Sequence, residues 1–341
     1  MATYVAEALN DPTLYFETLT WTGDGNTPRT LTGLNFQPNM VWSKRRDDAA
    51  GHNLLDSVRG AGANSELCPS SNGIEGSNAA ETYGYLSAFT SDGFTVTQGS
   101  SDNAYWNNNT ATYVAWCWKE SATAGMDIVL YSGNGTAGNT FSHSLSAVPH
   151  LVFCKIRNAE VADWYTYNAS LGNTKNIYLN TTGAVSTSNL WWNATTPTSS
   201  VVTLGDQTGN NGNARNFVAY CFAPKQGYSA MGSYTGNGDA SDGAFIYLGF
   251  KPAFFICKNY QDSGDNWILH DNKRNTFNVT DEGLAPNDTG AEFTDVDMDF
   301  LSNGVKMRNN TGRANAAKTF IYIAFAESPF VNSNGVPNNA R

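Results

Sequence analysis

The chain has 341 residues, a net charge of −10 and a pI near 4.8, with charged residues at 15% and aromatics at 13%. Such a field repels a phosphate backbone and argues against nucleic acid as a partner, while the aromatic content argues against a disordered chain. The low share of charge, with Gly, Asn, Thr and Ser between short apolar runs, suits turn-rich β-structure.

Residues 1–12 read as an N-terminal arm without a basic n-region or an apolar h-region, so no signal peptide is expected. No apolar stretch is long enough to span a bilayer as a helix, and membrane insertion is not expected. From residue 13 the apolar runs are short, rich in aromatic and β-branched types, and end at Gly, Asn, Asp or Pro. They predict strands at 13–21, 40–45, 84–89, 93–97 and 112–119, then at 127–131, 151–157, 164–167, 176–180, 200–204 and 216–222. A third set is predicted at 243–248, 253–259, 266–270, 276–280, 298–302, 304–308 and 318–326. The Asp92-Gly93 and Asn303-Gly304 pairs mark tight hairpins.

Three landmarks recur in one order. An aromatic-hydroxyl-Gly-x-Gly stretch starts at Trp21, Tyr131 and Tyr234, and a Pro-to-Lys segment runs from Pro38 to Lys44, Pro149 to Lys155 and Pro252 to Lys258. An apolar closing strand follows as Tyr113-Val-Ala-Trp-Cys-Trp118, Phe217-Val-Ala-Tyr-Cys-Phe222 and Phe320-Ile-Tyr-Ile-Ala-Phe325. A period of roughly 105 residues is too long for a solenoid and fits an independent domain. The expected architecture is all-β: three tandem antiparallel β-sandwiches, jelly-roll-like, at 13–122, 123–226 and 227–331, followed by a polar tail at 332–341.

Alternation in the first closing strand puts Tyr113, Ala115 and Cys117 on one face and Val114, Trp116 and Trp118 on the other. Both faces are apolar, which predicts an interior strand covered on each side. The small face would admit a second sheet or a neighbouring domain, and the large face would supply most of the core. The five cysteines, Cys68, Cys117, Cys154, Cys221 and Cys257, form no CxxC pair and are expected to be free thiols made in a reducing cytoplasm, four of them buried in the apolar repeat strands.

Chemistry is sparse. His52, His143, His150 and His270 lie in no HExxH motif, and no Gly-x-Ser-x-Gly elbow accompanies them, so surface or edge positions are expected. The slot of His52 is Trp164 and Trp267 in the later repeats, and Asp56 and Asp271 align with Asn168. The triplet Lys44-Arg45-Arg46 reads as a solvated strand end. Asp295, Asp297 and Asp299 fall on one strand face, where either solvent or a calcium ion would relieve their repulsion. No catalytic residue, cofactor or metal ligand is assigned, and the chain is read as a non-enzyme. Tyr105, Trp106, Trp191 and Trp192, beside Asn and Thr, are the candidate glycan-contact aromatics; the competing expectation turns at least one of each pair into the core.

With Asp92-Gly-Phe94 leading to Tyr113-Val-Ala-Trp-Cys-Trp-Lys119, and with the segment Pro38-Asn-Met-Val-Trp-Ser-Lys44, the first repeat resembles a domain of bacteriophage virion proteins. The resemblance is to tail-fibre and appendage proteins of marine tailed phages. It implies a structural virion protein, made in the host cytoplasm and displayed on the particle surface, without enzymatic activity. The implied partners are further copies of the chain, with a trimer favoured, other virion proteins and a host-surface glycan. A carbohydrate-binding module and a non-viral surface or filament protein are the alternatives.

Overall fold

A computed structural model of the chain describes residues 9–158, 160–331 and 337–339. The first repeat contains β1 (Phe16–Thr22), β2 (Arg29–Thr32), β3 (Met40–Arg45), β4 (Asn53–Asp56), β5 (Tyr85–Thr90), β6 (Gly93–Thr97) and β7 (Thr112–Trp118). The second contains β8 (Met126–Ser132), β9 (Asn139–Ser142), β10 (Leu151–Ile156), β11 (Tyr165–Asn168), β12 (Lys175–Tyr178), β13 (Ser186–Thr187), β14 (Val201–Leu204) and β15 (Asn216–Phe222). The third contains β16 (Ser229–Thr235), β17 (Phe245–Tyr247), β18 (Phe250–Asn259), β19 (Ile268–Asp271), β20 (Met298–Leu301), β21 (Gly304–Met307) and β22 (Thr319–Pro329). Single-turn helices α1 (Ala80–Tyr83) and α2 (Thr208–Asn211) complete the elements used below.

Each repeat is a domain of two packed antiparallel sheets. The larger sheets have the orders β1-β7-β3-β4, β13-β12-β11-β10-β15-β8 and β16-β22-β18-β19; the smaller are β2-β6-β5, β14-β9 and β17-β21-β20. No sheet is shared between repeats, and none closes into a barrel. The closing strand is interior in each larger sheet, with β7 paired to both β1 and β3 so that Trp118 lies opposite Phe16 and Met40.

Strands β2, β4, β9, β13 and β16 were not expected. In β2 and β9 only one side chain, Leu31 or Phe141, turns inward from a polar edge strand, so no apolar run announces them. In β16 the small Gly232 makes room for the Tyr322 ring, whose hydroxyl would lie 2.7 Å from a Cβ there. The predicted strand at 276–280 is reduced to one bridge between Thr280 and Met298. The chain before β1 instead turns through a 3-10 helix at Pro12–Leu14, started by Asp11 accepting the Thr13 N–H. Of the expected arm, residues 1–8 lie outside the described residues, while Leu9 is buried in the core. Most of the expected tail, 332–336 and 340–341, also lies outside them. Asn338 within it donates to the carbonyls of Ser328 and Pro329.

The two faces of the closing strand serve different cores. Tyr113, Ala115 and Cys117 face Phe94 and Val96 of their own smaller sheet; Ala219 and Cys221 do the same with Phe141 and Val202, and Ala324 with Ile246 and Val305. The bulky residues of all three closing strands, Trp116 and Trp118, Tyr220 and Phe222, Ile323 and Phe325, meet in a single cluster. Phe325 stacks on Phe16 at 5.2 Å and meets Phe222 edge-on at 5.8 Å, so aromatic contacts join all three repeats. An apolar void of about 20 Å³ remains among these side chains. Space for one water with no polar partner stays dry. The large face is therefore an inter-domain surface, and the small face is what lets each domain's own sheets approach.

Candidate functional site

Side chains at equivalent positions close the three domains into a ring. Trp164 of the second repeat donates its indole N–H to Cys68 O of the first at 3.1 Å, and Trp267 of the third donates to Tyr178 O of the second at 3.0 Å. In the same slot of the first repeat, His52 Nδ1 accepts the Trp42 indole N–H at 2.9 Å, which leaves Nε2–H to donate to Ala285 O of the third at 3.0 Å. Burial, aided by nearby Lys44 and Arg274, holds the His52 imidazole well below its ordinary pKa, so the ring is neutral. Three heterologous contacts of one direction thus form a closed cycle within one chain.

The lysines of two Pro-to-Lys segments serve the same interfaces. Lys155 donates to Ala162 O at 2.8 Å and across to Asn72 O at 3.0 Å; Lys258 donates to Asp265 O at 2.6 Å and across to Thr182 O at 3.3 Å. Lys44 donates to Arg45 O at 2.6 Å, within its own repeat. All three side chains are buried, and desolvation lowers each ammonium to a pKa of about 8. The triplet Lys44-Arg45-Arg46 is accordingly no solvated strand end. Arg46 pairs with Glu292 at 2.8 Å and Glu282 at 3.0 Å of the third repeat.

Two of the three interfaces carry a buried ionic chain. Arg157 bonds Glu75 at 2.6 Å, Glu75 bonds Arg59 at 3.0 Å, Arg59 bonds Asp56 at 2.5 Å, and the Tyr220 hydroxyl donates to Asp56 at 2.7 Å. The equivalent series is Arg46, Glu292, Arg274, Asp271 and Trp116. Burial alone would raise the Asp271 carboxyl, but the Arg274 guanidinium and the N–H donors around it outweigh that and hold it low. At the third interface the same five positions are Tyr260, Val185, Leu171, Asn168 and Ile323. The backbone bond that joins Glu75 N to Arg157 O recurs there as Val185 N to Tyr260 O at 2.8 Å. Leu171 and Ile323 belong to the shared apolar core, and the partly buried Val185 and Tyr260 pack against it. All five positions differ from the ionic pattern here, and a partial ionic chain would leave a buried charge unpaired.

The Gly-x-Gly landmark is an internal clamp. A Cβ on Gly23, Gly133 or Gly236 would lie 1.9, 2.3 or 2.1 Å from a backbone oxygen, and Gly25, Gly135 and Gly238 have φ near +70°. A buried asparagine closes each loop. Asn211 Oδ1 accepts from Asn134 N and Asn139 Nδ2, its Nδ2 donates to Thr136 O and Gly205 O, and its carbonyl takes the Gly135 N–H. Asn107 and Asn315 hold the other two loops in the same way. The recurrence of Asn a few residues ahead of each closing strand was a visible signal that the sequence reading passed over.

The candidate aromatics sit mostly inside. Trp106 and Trp192 have no exposed surface, Trp191 is buried, and only Tyr105 is half-buried. Trp192 donates to Lys175 O, and Trp106 packs edge-on to Phe94. Buried indoles have no ring face for a sugar, so of the four only Tyr105 keeps one, beside the exposed Tyr83 at 5.2 Å. The exposed large aromatics fall elsewhere: Phe277 at 76% and Tyr247 at 63% in the third repeat. In β17 the outward positions are Phe245 and Tyr247, opposite Lys306 and Gly304; the matching positions in β2 are Thr30 and Thr32.

Asp299 is buried against Arg308, and Asp295 pairs with Arg313, so two of the three aligned carboxylates already have cationic partners. Among the described residues no group of three or more His, Cys, Asp or Glu is placed to hold a metal, and no helix is long and apolar enough to cross a membrane. Of the histidines expected at the surface or an edge, His270 lies on the edge strand β19, but it and His52 are fully buried and His143 is 9% exposed. Burial lowers the His270 pKa to about 3. All five cysteines are free and buried.

No curated protein and no solved structure matches the chain. One family model runs across all three repeats, from residue 11 to residue 329, and by that match the chain belongs to the family described as Domain of unknown function (DUF7483).

Proposed function

We propose that the chain is a structural protein of a tailed-bacteriophage particle, part of a tail fibre or a surface-decorating appendage, with jelly-roll-like sandwiches as its building blocks. The observation that carries this reading is where the recurring side chains go. Two tryptophans, two of the lysines and the two ionic chains hold three domains in one ring, and the Asn-clamped glycine loops fix each domain internally. That is the work of a building block, and the acidic surface suits neither nucleic acid nor a membrane. The resemblance of the Tyr113–Lys119 segment to phage appendage domains supplies the particle. In this reading the chain catalyses nothing, is made in the host cytoplasm, and touches other virion proteins and a host-surface glycan.

The small faces that suggested self-association are occupied within each domain. The proposed homotrimer therefore rests on the closed symmetry of such appendages. Immunogold electron microscopy of purified particles tests the reading, with label on a fibre or on the capsid surface as the expected result. A protein absent from particles, or one that releases reducing sugar from host polysaccharide, would sink it.

A further inference from the structure

The first repeat has a cleft of about 480 Å³ where α1, the start of β5 and the loop after β6 meet. Its side chains are Asn64, Glu81, Tyr85, Gln98 and Ser100, with Gly62 and Ala63 beneath. The backbone around it is fixed. Ser100 N donates to Glu81 O at 2.8 Å, and Gly62 N donates to Leu86 O at 2.9 Å. Gly99 sits so close to α1 that a Cβ would lie 2.3 Å from the Thr82 carbonyl. The side chains, by contrast, are uncommitted: none of the five makes a hydrogen bond or ion pair to another described residue.

The second repeat provides an internal control. It has a polar cleft of about 390 Å³ that includes Glu160, Asp163, Tyr165 and Gln207. There the groups satisfy one another or their neighbours. Gln207 donates to the Tyr165 hydroxyl at 2.9 Å, Asp163 accepts from Asn180 at 2.8 Å, and Glu160 pairs with Arg215 at 3.3 Å. In the first cleft, by contrast, none of the five polar side chains is engaged with another described residue.

We propose that this first-repeat cleft binds a neutral saccharide. Two amides, a hydroxyl and a carboxylate offer both donors and acceptors to a hydroxyl-rich ligand. The half-buried Tyr85 ring offers an apolar face to the C–H side of a sugar. No Lys or Arg lines the cleft, and Glu81 repels anions, so phosphorylated or acidic ligands do not fit. The volume lies within the usual range of small-molecule sites. The half-buried Tyr105 lies on the far side of the same helix turn, its N–H bonded to Tyr83 O at 3.0 Å.

This assignment deepens the glycan contact in the reading above and rests on that reading only there; micrographs locate the chain, whereas saccharide binding reads the cleft, so either can fail alone. Saturation-transfer NMR of the full chain with millimolar glucose, galactose, mannose, N-acetylglucosamine and lactose is the test. At least one probe should receive transfer, with affinity reduced about tenfold in Gln98→Ala and in Tyr85→Ala. Gln207→Ala, in the self-satisfied cleft, should bind like wild type. Gln98 is exposed, so its variant keeps the test open if Tyr85→Ala does not fold. Transfer to none of the probes, or transfer unchanged by both substitutions, overturns the proposal.

Discussion

Trp116 of the first repeat donates its indole N–H to Asp271 of the third at 2.9 Å, deep between two domains. Tyr220 has the same relation to Asp56, at 2.7 Å, one interface further round. Such bonds to a buried carboxylate are worth about 1.5–3 kcal/mol each. Tyr220→Phe removes only the hydroxyl, and chemical denaturation should show a loss in that range with an unchanged m-value. An unaltered midpoint would mean that the ring is held by apolar packing alone.

The apolar third interface gives a sharper test. Arg59→Leu alone leaves the buried Asp56 without its cation, while Glu75 keeps Arg157, and should cost about 3–5 kcal/mol. Adding Asp56→Asn, Glu75→Val, Arg157→Tyr and Tyr220→Ile rebuilds the pattern of the apolar interface and should return stability to within about 2 kcal/mol of wild type. A five-fold variant that is worse than the single one would show that the positions do not act as a unit.

The three buried lysines set a pH dependence. Their folded pKa of about 8 lies below the unfolded value near 10.4, so in that window the unfolded chain binds more protons and stability rises with pH. Burial also raises the Glu66 carboxyl, which opposes the gain up to about pH 8, and all five thiols, which oppose it from about pH 8 upward. The lysine contribution is therefore read as a difference: between pH ~7.5 and ~9 the denaturation midpoint of the wild type should rise relative to that of Lys155→Met. Equal slopes in the two proteins would refute the lysine origin.

The glycine clamp separates close approach from backbone conformation. Gly23→Ala drives a methyl group to within 1.9 Å of Asn108 O and should cost about 3 kcal/mol or more. At Gly60 φ is +91° but nothing lies within 4 Å, so Gly60→Ala should cost only about 1–2 kcal/mol. Thermal melts of the pair should preserve that order.

The thiols should be silent in the native protein. Ellman's reagent should find none before unfolding and all five after it, without reductant. Cys117→Ala should cost about 1 kcal/mol, since Ala324 fills the equivalent position, and Cys117→Leu about 1–3 kcal/mol through overpacking. Two or four thiols missing from the denatured count would contradict free cysteines.

The repetition, the all-β class and the interior closing strand could be read from the sequence because period-2 apolar runs and recurring glycines are local signals. Edge strands such as β2 and β9 could not, since one inward residue makes no pattern. At Trp106, Trp191 and Trp192 the competing expectation, a ring turned into the core, is the one the structure shows: neighbouring polar residues suggest exposure, but only the fold decides which way a ring turns. Tertiary structure alone decided that the large face of each closing strand belongs to a core shared by three domains. It also brought Asp56 to Tyr220 and Asp271 to Trp116, pairs more than 150 positions apart whose kinship no local pattern encodes. Charge burial then coupled five positions at two of the three interfaces, because one altered alone leaves an ion without its partner.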